Sequence, residues 1–293
     1  MVGVTKRKRG EKYYYYLYHD SRKGGRKQRD RYLGPTLPDN IDEQKDDFER
    51  EIYLEDCGSA LDLIHQNHNK ENDNLTEKEL QKKNKQFSMK YNYDTQKIEG
   101  SKLTYRETVD LLESGISPKG KPMHDIKETE AHDKIFDEMM QHEGDLSEDL
   151  VVEWHKELLK DTEPEKAGII RTTNVDIRGS EFTPPPGYLV KKMIDGFFTW
   201  YEENKNKIHP VMLAALVHQK FVTIHPFRDG NGRISRLMMN FVLKKHGYPL
   251  INLDSGKRNP YFKALEKSQV NKKENRFVKW IMDNYLKKNA HYW

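Results

Sequence analysis

Apolar residues recur at helical spacing through most of the chain after position 40, in blocks whose ends can be read. Asp42 to Asn67 carries Phe48, Ile52, Leu61 and Ile64 at that spacing, although Cys57-Gly58-Ser59 is expected to break it. Thr76-Glu-Lys-Glu79 is a capping box opening a helix toward Tyr91. Thr104-Tyr-Arg-Glu107 opens another through Leu112, with Gly115 as its stop. Further blocks run from Met123 to Met140, Ser147 to Leu159, Tyr188 to Glu203, Pro210 to Val222, Asn231 to Lys245, Pro260 to Val270 and Asn275 to Lys288. Two stretches break this pattern. Tyr13-Tyr-Tyr-Tyr-Leu-Tyr18 and Arg26 to Gly34 are strand-like, joined by turn residues from Asp20 to Gly25, and predict a small hairpin. Ala167 to Pro186, with Gly179-Ser180 at its tip, predicts a second. The fold class is therefore mainly α with two small hairpins. Two strands alone are marginally stable, so the first hairpin is expected to dock its tyrosines on the helical core. Its interleaved basic and aromatic residues also suit a nucleic acid or an acidic partner.

Composition narrows this picture a little. At 293 residues the chain holds one large domain or two modest ones. A lone Cys57 rules out an internal disulfide and a cysteine zinc site, and a reducing cytoplasm is the simplest setting. The opening Met-Val-Gly-Val-Thr-Lys-Arg-Lys-Arg-Gly does not look like a signal peptide, and no run is expected to span a membrane. The 51 Lys and Arg nearly balance the 47 Asp and Glu, so the chain as a whole carries no nucleic-acid footprint.

The chemistry concentrates in residues 225 to 236, His-Pro-Phe-Arg-Asp-Gly-Asn-Gly-Arg-Ile-Ser-Arg. The apolar run that follows predicts a helix beginning near Asn231, which puts Arg233 and Arg236 in its first turns on one face. Cations oppose the positive end of a helix dipole, so their placement calls for an anion. Free backbone N–H groups, close approach at two glycines and two guanidiniums together favour a polyphosphate. Asp229 beside it suggests a divalent metal, Mg²⁺ above all, unless the residue is merely a helix N-cap. His225 at the rim could take a proton from a hydroxyl, or could be a packed core histidine.

This stretch resembles the signature of the Fic (filamentation induced by cAMP) family, His-x-Phe-x-Asp/Glu-Gly-Asn-Gly-Arg-x-x-Arg, at every defined position. Ala167-Gly-Ile-Ile-Arg-Thr-Thr-Asn-Val175 looks like the family's flap strand, closed by Pro184-Pro-Pro186, and Tyr261 to Glu266 resembles the segment covering adenine. The resemblance extends over roughly residues 80 to 288. It implies a Fic-type helical bundle with a β-hairpin flap at 168–186, spanning 76–293 after an N-terminal appendage (1–38) and a helical connector (39–75). It also implies transfer of AMP from ATP to a protein hydroxyl, with His225 as general base and Asp229 as the Mg²⁺ ligand. Gly230, Asn231, Gly232, Arg233 and Arg236 would then hold the phosphates, Tyr261 and Gln269 the adenine, and Val175 and Ile177 the target. Asn240 would brace the helix. Thr95-Gln-Lys-Ile-Glu-Gly100 fits the family's inhibitory motif on a helix at about 84–99, so a bidentate Glu99–Arg236 pair would block the γ-phosphate position. Partners implied are ATP and a protein bearing Ser, Thr or Tyr, its own chain included, with a homo-oligomer also open. The alternatives are removal of AMP, with Glu99 positioning water, and a non-catalytic nucleotide- or nucleic-acid-binding module.

Overall fold

The computed structural model describes residues 2–21 and 27–293. Ten α-helices follow a small antiparallel sheet: α1 (Ile41–Asp73), α2 (Glu77–Glu99), α3 (Tyr105–Ser114), α4 (Met123–Gln141), α5 (Glu148–Leu159), α6 (Gly187–Asn204), α7 (Pro210–Ile224), α8 (Asn231–Lys245), α9 (Arg258–Val270) and α10 (Glu274–Lys288). Both capping boxes form as the sequence requires: Thr76 with Glu79 starts α2, and Thr104 with Glu107 starts α3, which ends at Gly115. Ser147 caps α5 by accepting from the Leu150 N–H. The interior is built around α7, buried on nearly every face, with α8 beside it. Trp154, Phe136, Tyr201, Phe221 and Phe277 pack on this pair from α5, α4, α6, α7 itself and α10.

Three expectations change. First, α1 does not break at Gly58; it runs unbroken for 33 residues. A helical glycine costs only about 1 kcal/mol. Burial of Phe48 and Ile52 on one side of it, and Leu61 and Ile64 on the other, outweighs that.

Second, the N-terminal element is a three-stranded meander, not a hairpin: β1 (Gly3–Arg9), β2 (Lys12–Ser21) and β3 (Lys27–Gly34), in that order across the sheet. The predicted turn at Asp20 to Gly25 lies for the most part outside the described residues. Nor do the tyrosines supply the contact with the helices. Leu17, fully buried, packs on Phe48 and Ile52 of α1, flanked by Val4, Leu33 and Ile41. Side chains alternate across a strand, so Tyr14, Tyr16 and Tyr18 face away from Leu17.

Third, the flap at 168–186 contains no strand. It crosses the surface as irregular chain with one turn, closed by the Ser180 N–H on Ile177 O at 3.0 Å.

Candidate active site

The α7–α8 connection carries the candidate motif, and its shape is set by groups that hold backbone rather than ligand. α7 ends because His225 enters the left-handed region, at φ 53°. For a residue with a side chain that conformation costs about 1–2 kcal/mol. Arg171 holds it there. Its guanidinium, 2% exposed, donates to four carbonyls: His225 at 2.6 Å, Pro185 at 2.8 Å, Thr173 at 2.9 Å and Ile224 at 3.3 Å. Burial lowers its pKa and no carboxylate offsets this. The negative end of α7 answers the charge instead. One side chain thus ties both arms of the flap to the first residue of the motif and the one before it.

Asn231 closes the rest of the loop. Its side chain, 2% exposed, accepts from the Phe227 N–H at 2.9 Å and donates to the Phe227 carbonyl at 2.8 Å. The amide expected to meet phosphate is bonded to the loop backbone here. His155 of α5 stacks on Phe227, with centroids 3.6 Å apart and planes 7° from parallel. Its Nδ1 accepts from the Gly168 N–H at 2.9 Å, so the proton of the neutral ring lies on Nε2, donated to Asp229 O at 3.0 Å. Burial pushes its pKa down to about 4, which keeps it in that form.

α8 begins with Gly230 at its N-cap position, φ 76°, and no side chain caps it. The Asp229 carboxylate accepts from the adjacent Gly230 N–H and, at 3.5 Å, from Arg233 Nη2, and lies exposed. The helix-cap reading of Asp229 fails on this geometry. The first-turn N–H groups of α8 are left for an anion.

The carboxylate that approaches this helix end is Glu99. The carboxylate reaches Arg236 Nη2 through Oε1 at 2.6 Å. A Cβ at Gly232 would lie 2.3 Å from the same oxygen, so the close approach of Glu99 to the helix end requires glycine there. The contact is end-on, not the expected bidentate fork. The guanidinium is otherwise committed, with Nε on Thr95 Oγ1 at 2.5 Å, Nη2 also on Thr95 O at 3.2 Å, and Nη1 on Tyr261 OH at 3.4 Å. Burial works most strongly against the charge of Arg236, yet Glu99 together with the hydroxyls of Tyr261 and Tyr91 outweighs it and the pKa stands raised. Glu99 is the last residue of α2, followed by left-handed Gly100. A carboxylate at a helix C-terminus is locally unfavourable. Here the positive end of α8 and Arg236 answer it, and Arg258 donates to Ile98 O at 2.6 Å.

Arg233 is occupied at Nη1, although its buried Nε has no partner among the described residues. It pairs with Glu128 of α4 and lies near Gln96 Oε1 at 3.4 Å. The two residues expected around the adenine are engaged with protein groups here. Tyr261 is 1% exposed, its hydroxyl against His218 Nε2 at 3.0 Å, and Gln269 donates to Thr223 Oγ1 at 3.2 Å. Both side chains point into the core in this state. Val175 and Ile177 do alternate with exposed neighbours, half-buried along the flap. Asn240 clasps Ile251 with two backbone bonds, 2.8 and 3.0 Å, and so ties α8 to the loop that follows it. Arg171, His155 and Glu128 were not legible as site residues. His155 sits on the apolar stripe of α5, where a histidine reads as core, and Arg171 and Glu128 stand in otherwise ordinary polar sequence.

Residues 145–243 match the model of the Fic/DOC family. The chain belongs to that family. Among curated proteins it is 31% identical over 242 residues to protein adenylyltransferase Fic of Drosophila grimshawi, covering 81% of this chain and 47% of that protein. It is 33% identical over 181 residues to protein adenylyltransferase fic-1 of Caenorhabditis briggsae, covering 60% of this chain and 35% of that one. The chain thus spans less than half the length of these two relatives. Among solved structures, a Fic domain containing signalling protein from Bacteroides thetaiotaomicron superposes with a TM-score of 0.70 at 27% identity, over 80% of this chain and 95% of the other. A portion of Fic-1 from Caenorhabditis elegans gives 0.70 at 25% identity, over 87% and 77%. Among the described residues no helix is long and apolar enough to cross a membrane, and no group of three or more His, Cys, Asp or Glu could hold a metal.

Proposed function

We propose that this Fic protein transfers AMP from ATP to a protein Ser, Thr or Tyr hydroxyl, and that the conformation described is its self-inhibited one. The observation that carries this reading is the Glu99 carboxylate lodged on Arg236 at the N-terminus of α8, where a phosphate would otherwise bind. The names of the curated relatives support the activity.

In the transfer, the target hydroxyl oxygen bonds to the α-phosphorus, the bond to pyrophosphate breaks, and His225 takes the hydroxyl proton. Burial lowers the pKa of His225 to about 4, so the ring is neutral near pH 7, as a base must be. With Nδ1 facing Val222 O at 3.4 Å, the lone pair falls on Nε2. Asp229 is the one exposed carboxylate of the loop. A single carboxylate completed by phosphate oxygens and water suits Mg²⁺, which would offset charge on the phosphates. Val175 and Ile177 would clamp the target segment alongside the flap. Only one oxygen of Glu99 is engaged by Arg236, which favours a second reading: the other could orient water to remove AMP from a modified protein.

The test follows label from α-³²P-ATP into protein with the wild type, Glu99→Gly, and Glu99→Gly combined with Arg236→Ala. Expected is a rise in the single variant, on the order of a hundredfold, because realigning a misplaced reactant recovers that much. The double variant should lose the gain. Equal incorporation by wild type and Glu99→Gly would reject inhibition by this residue, and incorporation from γ-label instead would reject AMP transfer.

A further inference from the structure

The near-neutral net charge conceals a strong segregation. The first 34 residues hold eleven of the 51 Lys and Arg but three of the 47 Asp and Glu, so the sheet carries about +8 and the remaining chain about −4. The two faces of the sheet use that charge differently. On the face toward α1, Arg29 pairs with Glu55 and Asp56, and Arg31 with Glu51, so helix carboxylates neutralise them. On the opposite face Arg7 pairs with Asp30 at 2.7 Å, while Arg9 and Lys12 are exposed and have no carboxylate partner among the described residues. Lys6 and Lys8 of the edge strand fall on the Leu17 face, over the rings of Tyr13 and Tyr15, and leave the opposite face to Arg7, Arg9 and Lys12.

The same outer face is paved with rings. Pairing aligns Arg7 with Tyr14, Thr5 with Tyr16, and Tyr16 with Tyr32, which puts these side chains on one surface. Tyr32 lies 5.3 Å from Tyr16 and 6.0 Å from Tyr14, and the guanidiniums of Arg7 and Arg9 sit 4.9 and 5.8 Å over Tyr16. Arg9, Tyr14, Tyr16 and Tyr32 line a shallow cavity of about 400 Å³. Tyr32 is 55% exposed and Tyr18 38%, although neither is needed to seat the sheet, which Leu17 does from the other side.

Exposed rings beside unpaired cations are what single-stranded nucleic acid needs: bases stack on the rings and phosphates meet the cations. Groove readout of a duplex instead relies on side chains that hydrogen-bond base edges, and this face offers mainly rings. We propose that the outer face of the N-terminal sheet binds single-stranded nucleic acid, with bases on Tyr32 and Tyr18 and phosphates on Arg9 and Lys12. The site is independent of the AMP-transfer reading.

The test is fluorescence anisotropy of the whole chain with labelled 15-mers of dT and of U, a mixed-sequence duplex, and unlabelled polyglutamate as competitor. The single strands should both bind, more tightly than the duplex. Tyr32→Ala should weaken this at least about fivefold by loss of one stacked base. Arg9→Ala with Lys12→Ala should lower the slope of log affinity against log salt by about 1.4, at roughly 0.7 per phosphate contact. All three side chains are exposed, and circular dichroism melts confirm that the variants fold. No binding of either single strand, equal or tighter duplex binding, competition by polyglutamate at equal charge, or an unchanged affinity in Tyr32→Ala would each overturn the proposal.

Discussion

Arg171→Met is the most demanding test of how the site is held. The substitution removes four hydrogen bonds and strands the carbonyls of Thr173, Pro185, Ile224 and His225 in a place from which water is excluded. Bonds from a charged donor are worth about 1.5–3 kcal/mol each, and the desolvation of a lone guanidinium returns several kcal/mol when it is deleted. The net loss should be about 3–5 kcal/mol, a drop in Tm of roughly 5–8 °C for a chain of this size. The effect on chemistry should exceed the effect on the fold. His225 holds a backbone conformation strained by about 1–2 kcal/mol, and without the clamp it has every reason to relax. A base displaced by an ångström loses on the order of a hundredfold in rate. Arg171→Lys keeps the charge but not the planar fork, so it should fall between the two. Thermal melts and α-label incorporation in a Glu99→Gly background measure both quantities. A Met variant melting within about 2 °C of its parent and transferring label at the same rate would refute the argument.

Three further outcomes are expected. His225→Ala should abolish AMP transfer while leaving ATP affinity by titration calorimetry nearly unchanged, since a base acts on the acceptor; substantial label incorporation would remove the assignment. Asp229→Ala should be poorly active and insensitive to Mg²⁺ in a metal titration, and an unaltered dependence would mean that this carboxylate holds no ion. Acid should destabilise the fold over a defined window. Burial lowers His68, His155 and His225 to about 4 and His132 to about 3, so the unfolded chain binds more protons below pH 6.5. Stability is therefore full above about pH 6.5 and is lost as pH falls toward 4, by up to ~3 kcal/mol for a group as buried as His155. Urea midpoints that stay flat from pH 7 to 4.5 would contradict this.

Local rules made the helices legible. Thr76 and Thr104 announce their helices because a capping box needs only four residues, and Asn231 opens α8 because an apolar run follows it. β1 was invisible for the opposite reason. Its basic residues show no apolar alternation, and only pairing with β2 makes it a strand. The motif disclosed which residues gather at the helix end, but not where each side chain points. Asn231 and Tyr261 are polar groups that could serve a ligand or the interior, and packing decides for the interior. Arg171 is illegible for a related reason: its partners are carbonyls, which every residue possesses.

The last turn of α2 is where the Glu99 carboxylate hangs, and helix ends are the parts of a fold that open most readily. Releasing Glu99 by melting that turn would surrender the contacts of Arg236 with Thr95 and of Arg258 with Ile98. The enthalpy of those contacts would then appear in the temperature dependence of the reaction. An Eyring plot for the wild type should be steeper than for Glu99→Gly, the two converging on warming. Heat would thus act as a partial activator, and the restraint on the enzyme would be tightest in the cold.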